Sequence, residues 1–204
     1  MSDSATEVVW AEAHERLCAD PAFGPVAREV GPVRLPIDPS PPFAALARSI
    51  VYQQLAGAAA RTIHGRVVEA VGGEVVPEAL LSTPEAALRG AGLSAAKYTA
   101  LTDLARRVSE RDVVLDDLSG APDDEVKARL VRVRGVGPWT AEMFLLFTLR
   151  RPDVWPVGDL GVRQGVGRVL GWETPPTPRE LELIGTGYRP WRSAAAWYAW
   201  RALE

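Results

Sequence analysis

Seventeen prolines and eighteen glycines divide the 204 residues into short segments, and most stand where a helix would start or stop. Proline fits the first helical position, where its missing N–H costs nothing, and glycine takes the positive φ that often closes a helix. This punctuation predicts helices at about 5–18, 42–71, 84–90, 94–110, 122–133, 138–150, 159–170, 178–185 and 191–203. Val71–Val76 alone has strand character, and Gly72-Gly73 interrupts it. The expected fold class is therefore all-α. The proline-rich loop 31–42 and the basic, proline-containing stretch 149–156 are candidate boundaries, and no flexible linker separates them. Two packed helical lobes follow: a central lobe at 45–152, and a second made of 1–44 plus 153–204.

Composition excludes several classes. Hydrophobic residues make up 47% and charged residues 24%, as in ordinary soluble domains and unlike disordered chains. The apolar stretch Met143–Leu149 falls far short of the roughly 20 residues a membrane span needs. No basic-then-apolar leader opens the sequence, so a cytoplasmic monomer with no membrane partner is expected. Cys18 is the single cysteine, which rules out an internal disulfide and any zinc or iron–sulfur site built on several thiolates. His14 and His64 are the only histidines and form no metal-ligand pattern; His64 reads as an ordinary helix residue and Cys18 as a packed thiol. Net charge is −3, which argues against holding nucleic acid through bulk positive charge. The charge is uneven, however: residues 1–40 carry a net −4 and residues 130–170 a net +3.

The basic segment contains Leu130-Val131-Arg132-Val133-Arg134-Gly135-Val136-Gly137-Pro138-Trp139-Thr140-Ala141. One helix ends, a Gly-Val-Gly turn follows, and Pro138 starts the next. Glycines allow close approach of another backbone, and the first helical turn offers unpaired N–H groups at the positive pole of the dipole. Together they suit a phosphate, without reading base sequence. A bare Gly-x-Gly is more often a plain connector. The apolar frame of Leu130, Val133, Val136 and Ala141 makes this one resemble the helix-hairpin-helix motif of DNA-binding proteins. The resemblance implies phosphate binding by the amides of Gly135, Gly137 and Thr140. It also implies a sodium or potassium ion on the carbonyls of Val131, Val133 and Val136 when DNA is bound.

Trp155-Pro156-Val157-Gly158-Asp159 follows, with Asp159 standing 22 residues beyond Gly137. Asp159 is well placed as the N-cap of the helix 159–170, and that alone would explain it. The Gly/Pro loop, the spacing and the hairpin together resemble the helix-hairpin-helix/Gly-Pro-Asp superfamily of DNA glycosylases, in which this Asp is the catalytic carboxylate. The two roles are compatible. A helix N-terminus favours an ionised carboxylate, and cleavage of an N-glycosidic bond builds positive charge on the sugar.

Within that superfamily the strand-cleaving branches carry a nucleophilic lysine where this chain has Trp139, and indole cannot form a Schiff base. Water is the expected nucleophile, with no cofactor required. Ile50-Val51-Tyr52-Gln53-Gln54-Leu55, Gly92-Leu93-Ser94-x-x-Lys97 and Tyr188-Arg189-Pro190-Trp191-Arg192-Ser193 occur in the order found in 3-methyladenine DNA glycosylases of the AlkA type, and they span about 50–200. The resemblance implies a wedge into the DNA stack at Gln54 and Leu55, against a plain core role for Leu55. It implies a base pocket formed by Trp139, Met143, Trp191 and Tyr52, with Asp159 at the mouth of an interlobe cleft. A tyrosine in some relatives is Met143 here, the serine often found after Gln-Gln-Leu is Ala56, and no room is left for the N-terminal β domain of some members.

The expected substrate is damaged double-stranded DNA carrying an alkylated purine. A base methylated at N3 or N7 is a cation, and stacking on indole contributes roughly 0.5–2 kcal/mol per contact. Trp197 and Trp200 read as core packing, and Lys97 and Arg163 as solvated surface cations with phosphate contact as the minor reading. The alternatives are a glycosylase for uracil, deaminated or oxidised bases, and a hairpin module that binds DNA without cleaving it.

Overall fold

The computed structural model describes residues 3–35 and 38–204. The described residues form helices joined by turns and loops, with no strand among them, so the all-α expectation holds. In chain order the helices are α1 (Asp3–Cys18), α2 (Gly24–Val30), α3 (Pro42–Tyr52), α4 (Gly57–Ala70), α5 (Pro77–Ser82), α6 (Glu85–Gly90), α7 (Ala95–Ser109), α8 (Asp123–Leu130), α9 (Pro138–Met143), α10 (Leu160–Val169), α11 (Pro178–Gly185) and α12 (Arg192–Arg201). A π-helical turn occupies Phe144–Thr148 and a short 3₁₀ turn Thr186–Tyr188.

Several expectations are corrected. The single helix expected over 42–71 is two. The chain breaks after Tyr52, Gln54 takes φ 55°, and the Leu55 N–H closes the turn on the Tyr52 carbonyl at 3.3 Å. The segment 71–76 is a turn rather than a strand, because Gly72 and Gly73 adopt φ of 87° and 100°. The helix expected over 138–150 stops at Met143 and continues as the π turn, and the one expected over 122–133 ends at Leu130. α2 and α5 were not anticipated, although each has proline in its first turn. Within the expected loop 31–42, Pro36 and Ile37 lie outside the described residues.

Two compact units form. One comprises 38–144; the other combines 1–37 with 145–204. These bounds differ from the expected 45–152 and 1–44 plus 153–204. Asp38 pairs with Arg48 of α3 at 2.7 Å, which ties the segment before α3 to the first unit. The Arg151 N–H bonds to the Leu145 carbonyl and the Ser193 N–H to that of Pro152, which ties 145–152 to α12.

In the 38–144 unit, α7 is capped by Ser94, whose side chain accepts the Lys97 N–H at 3.3 Å. It buries Ala100, Leu101, Leu104 and Ala105, and Ile50, Leu88 and Leu130 join the same unit's buried core. The side of α7 also bounds the hairpin, since a Cβ on Gly135 would stand 3.1 Å from Ala100 Cβ. In the other unit, α10 packs directly on α12: a Cβ at Gly165 would meet the Ala199 carbonyl oxygen at 1.9 Å, so only glycine permits that approach.

Candidate active site

Asp159 sits at the N-cap of α10 in extended conformation, as its position in the sequence requires. Its Oδ1 accepts the Val162 N–H at 2.7 Å and the Trp200 indole N–H at 2.9 Å. The second donor arrives from 41 residues away on α12. It can reach because residue 161 is glycine: a Cβ there would stand 2.9 Å from Trp200 Cδ1 and 3.1 Å from Asp159 Oδ1. The ring of Trp200 is stacked on Phe147 at 5.8 Å between centroids. Reading Trp200 as simple core packing is therefore corrected: it is half-buried, fixes the candidate carboxylate and borders a cavity of about 1140 Å³ that Phe147, Trp197 and Arg168 also line. Trp197 itself is buried.

The chain leading into Asp159 is held by the Tyr-Arg-Pro-Trp-Arg-Ser segment. The buried Ser193 hydroxyl donates to the Arg151 carbonyl at 2.6 Å and accepts the Val154 N–H at 2.9 Å. Arg192 Nε donates to Asp153 Oδ1 at 2.6 Å. Trp155 Nε1 donates to the Leu181 carbonyl at 2.8 Å, in a space that a Cβ on Gly185 would fill. Trp191, expected in the base pocket, stands half-buried at the N-cap of α12 beside a small crevice of about 20 Å³ lined also by Tyr188 and Asp20. Burial pushes the Tyr188 phenol up to about 12, assisted by Asp20.

In the 38–144 unit the hairpin follows the expected outline. The Val136 N–H closes the turn on the Val133 carbonyl at 3.0 Å, and Gly135 has φ 79°. A Cβ on Gly137 would meet nothing within 4 Å, so that face is open to an approaching group. Thr140 is buried, and Trp139 is 42% exposed in the first turn of α9. Met143 ends α9, half-buried. Of the three residues expected to offer carbonyls to an ion, Val131 is exposed while Val133 and Val136 are buried.

The Gln-Gln-Leu segment forms the turn between α3 and α4. Gln54 is exposed and Leu55 is 36% exposed, so the core reading of Leu55 does not hold. Tyr52 is half-buried, edge-on to His64, with the Arg48 guanidinium 6.0 Å from its ring centroid. Burial, with Arg48 nearby, holds the His64 imidazole below its ordinary value despite Asp38. Gln53, given no role in the sequence reading, donates from Nε2 to the Gly135 carbonyl and to Thr140 Oγ1, both at 3.0 Å. Lys97 and Arg163, expected as solvated surface cations, are half-buried, and each also holds a backbone carbonyl. Lys97 Nζ donates to the Val51 carbonyl at 2.6 Å, and Arg163 Nε to that of Pro176 at 2.7 Å. Burial lowers the Lys97 ammonium from its ordinary value.

Among the described residues no helix is long and apolar enough to cross a membrane, and no cluster of His, Cys, Asp or Glu could hold a metal ion.

The chain is similar to known proteins along most of its length. A protein named DNA-3-methyladenine glycosylase 1 from Schizosaccharomyces pombe is 31% identical over 163 residues, covering 78% of this chain and 72% of that one. The structure of an S. pombe 3-methyladenine DNA glycosylase in complex with abasic DNA superposes with a TM-score of 0.86 at 28% identity, covering 93% of this chain and 95% of that one. A DNA-3-methyladenine glycosidase structure from Bacillus halodurans gives 0.82 at 34% identity, covering 93% and 88%. The chain spans 57% of the length of a Bacillus subtilis relative that is 28% identical over 164 residues. Residues 47–189, which hold the Gln-Gln-Leu turn, the hairpin and Asp159, match the HhH-GPD superfamily of base excision DNA repair proteins, and the chain belongs to that superfamily.

Proposed function

We propose that this protein is a monofunctional DNA glycosylase. It takes an alkylated purine of the 3-methyladenine type out of damaged double-stranded DNA, hydrolyses its N-glycosidic bond and leaves an abasic site for base excision repair. The observation that carries this reading is Asp159: a carboxylate at the start of α10, fixed at Oδ1 by the Val162 amide and the Trp200 indole, in a chain of a base excision repair superfamily. The names of the S. pombe and B. halodurans proteins support the choice of lesion.

The chemistry follows from charge. As the C1′–N bond breaks, its electron pair leaves with the base and neutralises the positive charge that methylation placed there. Positive charge builds on the sugar, and a fixed carboxylate stabilises it without reorganising. The oxygen of water then bonds C1′, and its proton passes to Asp159 or to solvent. A cationic base is a good leaving group, so no strong general acid and no cofactor is needed. Trp139, with 42% of its surface exposed, offers an indole face for stacking and cation–π attraction, with Met143 and Tyr52 of the same unit as further contacts for the base. Leu55, with Gln54 beside it, fills the gap left in the stack.

The amides of Gly135, Gly137 and Thr140 bind a phosphate of the DNA backbone. The carbonyls of Val131, Val133 and Val136 form an uncharged oxygen donor set, and Val133 keeps a second lone pair beside the one facing Val136 N–H. These would hold a sodium or potassium ion, whose charge would add to the attraction for that phosphate. The protein works as a monomer where the DNA is, in the cytoplasm and on the nucleoid.

A lesion panel tests the proposal. Duplexes carrying 3-methyladenine, 7-methylguanine, uracil, hypoxanthine or 8-oxoguanine are incubated with the protein, and released bases are identified by mass. Methylated purines should be released, with the strand intact until alkali is added. Release of neutral lesions only, or a strand break without alkali, would contradict it.

A further inference from the structure

Gln53 is the member of the Gln-Gln-Leu segment whose side chain leaves its own turn. Its backbone ends α3, and its amide reaches 82 residues along the chain to Gly135 and 87 to Thr140. The Gly135 carbonyl can only accept, so the amide nitrogen must be the end that faces it, and the second amide hydrogen goes to the Thr140 hydroxyl. One side chain thus grips both halves of the hairpin: the glycine turn, and the first turn of α9 where Thr140 is buried.

The turn that Gln53 opens has little of its own to hold it. Gln54 is exposed at φ 55°, and Leu55 is followed by an exposed Ala56. On the α3 side, Lys97 fastens the Val51 carbonyl to α7. Gln53 supplies the fastening to the hairpin. Prying open a base step costs a few kcal/mol, and that must come from contacts made elsewhere, chiefly on phosphates. The phosphate contacts can contribute only if the wedge is fixed relative to them.

We infer that Gln53 is a positioning residue that couples the phosphate-binding hairpin to the stack-opening turn, so that a phosphate held at 135–140 determines where Leu55 enters the duplex. This rests on the DNA-opening part of the function proposed above, and the test needs no base excision.

The full chain is bound to a duplex with a non-hydrolysable abasic analogue beside 2-aminopurine, whose fluorescence rises on unstacking. Gln53→Met keeps length and apolar stem but deletes both donors. Gln53→Glu keeps a polar end that cannot donate to Gly135. Both variants should melt near the native temperature and bind the duplex with Kd within about threefold, yet give less than about half the native rise, because wedge placement and phosphate binding separate. Leu55→Ala should cut the rise about tenfold in the native background and less than about twofold in Gln53→Met, the non-additivity expected of coupled residues. Should Gln53→Met not fold, Gln53→Glu alone, with and without Leu55→Ala, is held to the same criteria.

A native rise in both Gln53 variants, an equal Leu55→Ala effect in both backgrounds, or a loss of affinity parallel to the loss of fluorescence would each overturn the coupling. A native protein that produces no rise would overturn it together with the stack-opening role, whereas failure of excision alone would leave the coupling standing.

Discussion

At Asp159 two N–H donors share one carboxylate oxygen, and the second depends on the absence of an atom. Gly161 leaves the space through which the Trp200 indole reaches Oδ1. Gly161→Ala would place a methyl group 2.9 Å from Trp200 Cδ1, with the Asp159 oxygen only 3.1 Å away, so the ring or the carboxylate must shift. Trp200→Phe removes the donor and keeps most of the ring. Both variants should lower the single-turnover rate of base release about tenfold, the scale of one lost preorganised hydrogen bond, with DNA affinity within about threefold. Stopped-flow or quench measurements with saturating enzyme check this; a native rate in Trp200→Phe would show that the indole only packs. Asp159 was legible in the sequence because a cap announces itself locally, through its place before a helix. Trp200 was not, because its partner lies 41 residues away and nothing in the spacing of the last helix says which tryptophan faces α10.

Among the elements, the hairpin was the most legible, since its glycines, its proline and its apolar frame lie within twelve residues. Its supports were not. Besides Gln53, Asp103 of α7 accepts the Arg134 N–H and Arg107 Nε on Oδ2, each at 2.8 Å, and Arg106 Nη2 on Oδ1 at 3.0 Å. Arg132 adds a pair with Asp112, just beyond α7. Burial pushes the Asp103 carboxyl up, but the Arg134 amide and the two guanidiniums outweigh it and hold the group below its ordinary 3.8. The folded state therefore binds fewer protons than the unfolded state just below that value. The stabilisation is complete above about pH 5 and is lost as pH falls below 3.8 and through the folded pKa. Asp103→Asn should cost about 1 kcal/mol at pH 7, the net worth of a hydrogen bond to a charged group in a partly exposed site. The native-minus-variant difference in urea unfolding should shrink at pH 3. An equal difference at both pH values would contradict the assignment. The break of the expected 42–71 helix was missed for a related reason. Gln-Gln-Leu carries no glycine or proline, and the ties that hold the chain just before the left-handed Gln54, Lys97 on the Val51 carbonyl and Gln53 on the hairpin, join residues far apart in the sequence.

For the molecule as a whole, helix content and class were readable because proline and glycine mark most segment ends. The unit boundaries were displaced by seven or eight residues because pairing across the chain, such as Asp38 with Arg48 and Ser193 with the 151–154 segment, decides them. A net charge of −3 is compatible with the proposed phosphate contacts, which use backbone amides rather than a basic surface. The proposed activity depends on the carboxylate of Asp159 acting on the glycosidic bond, and Asp159→Asn tests that most directly, because the amide keeps an oxygen for the Val162 N–H while removing the charge. Single-turnover release of a methylated purine should fall by roughly two to four orders of magnitude, as when a major electrostatic or general-base contribution is lost, while affinity for the same duplex stays within about threefold. Release at the native rate by Asp159→Asn would contradict it.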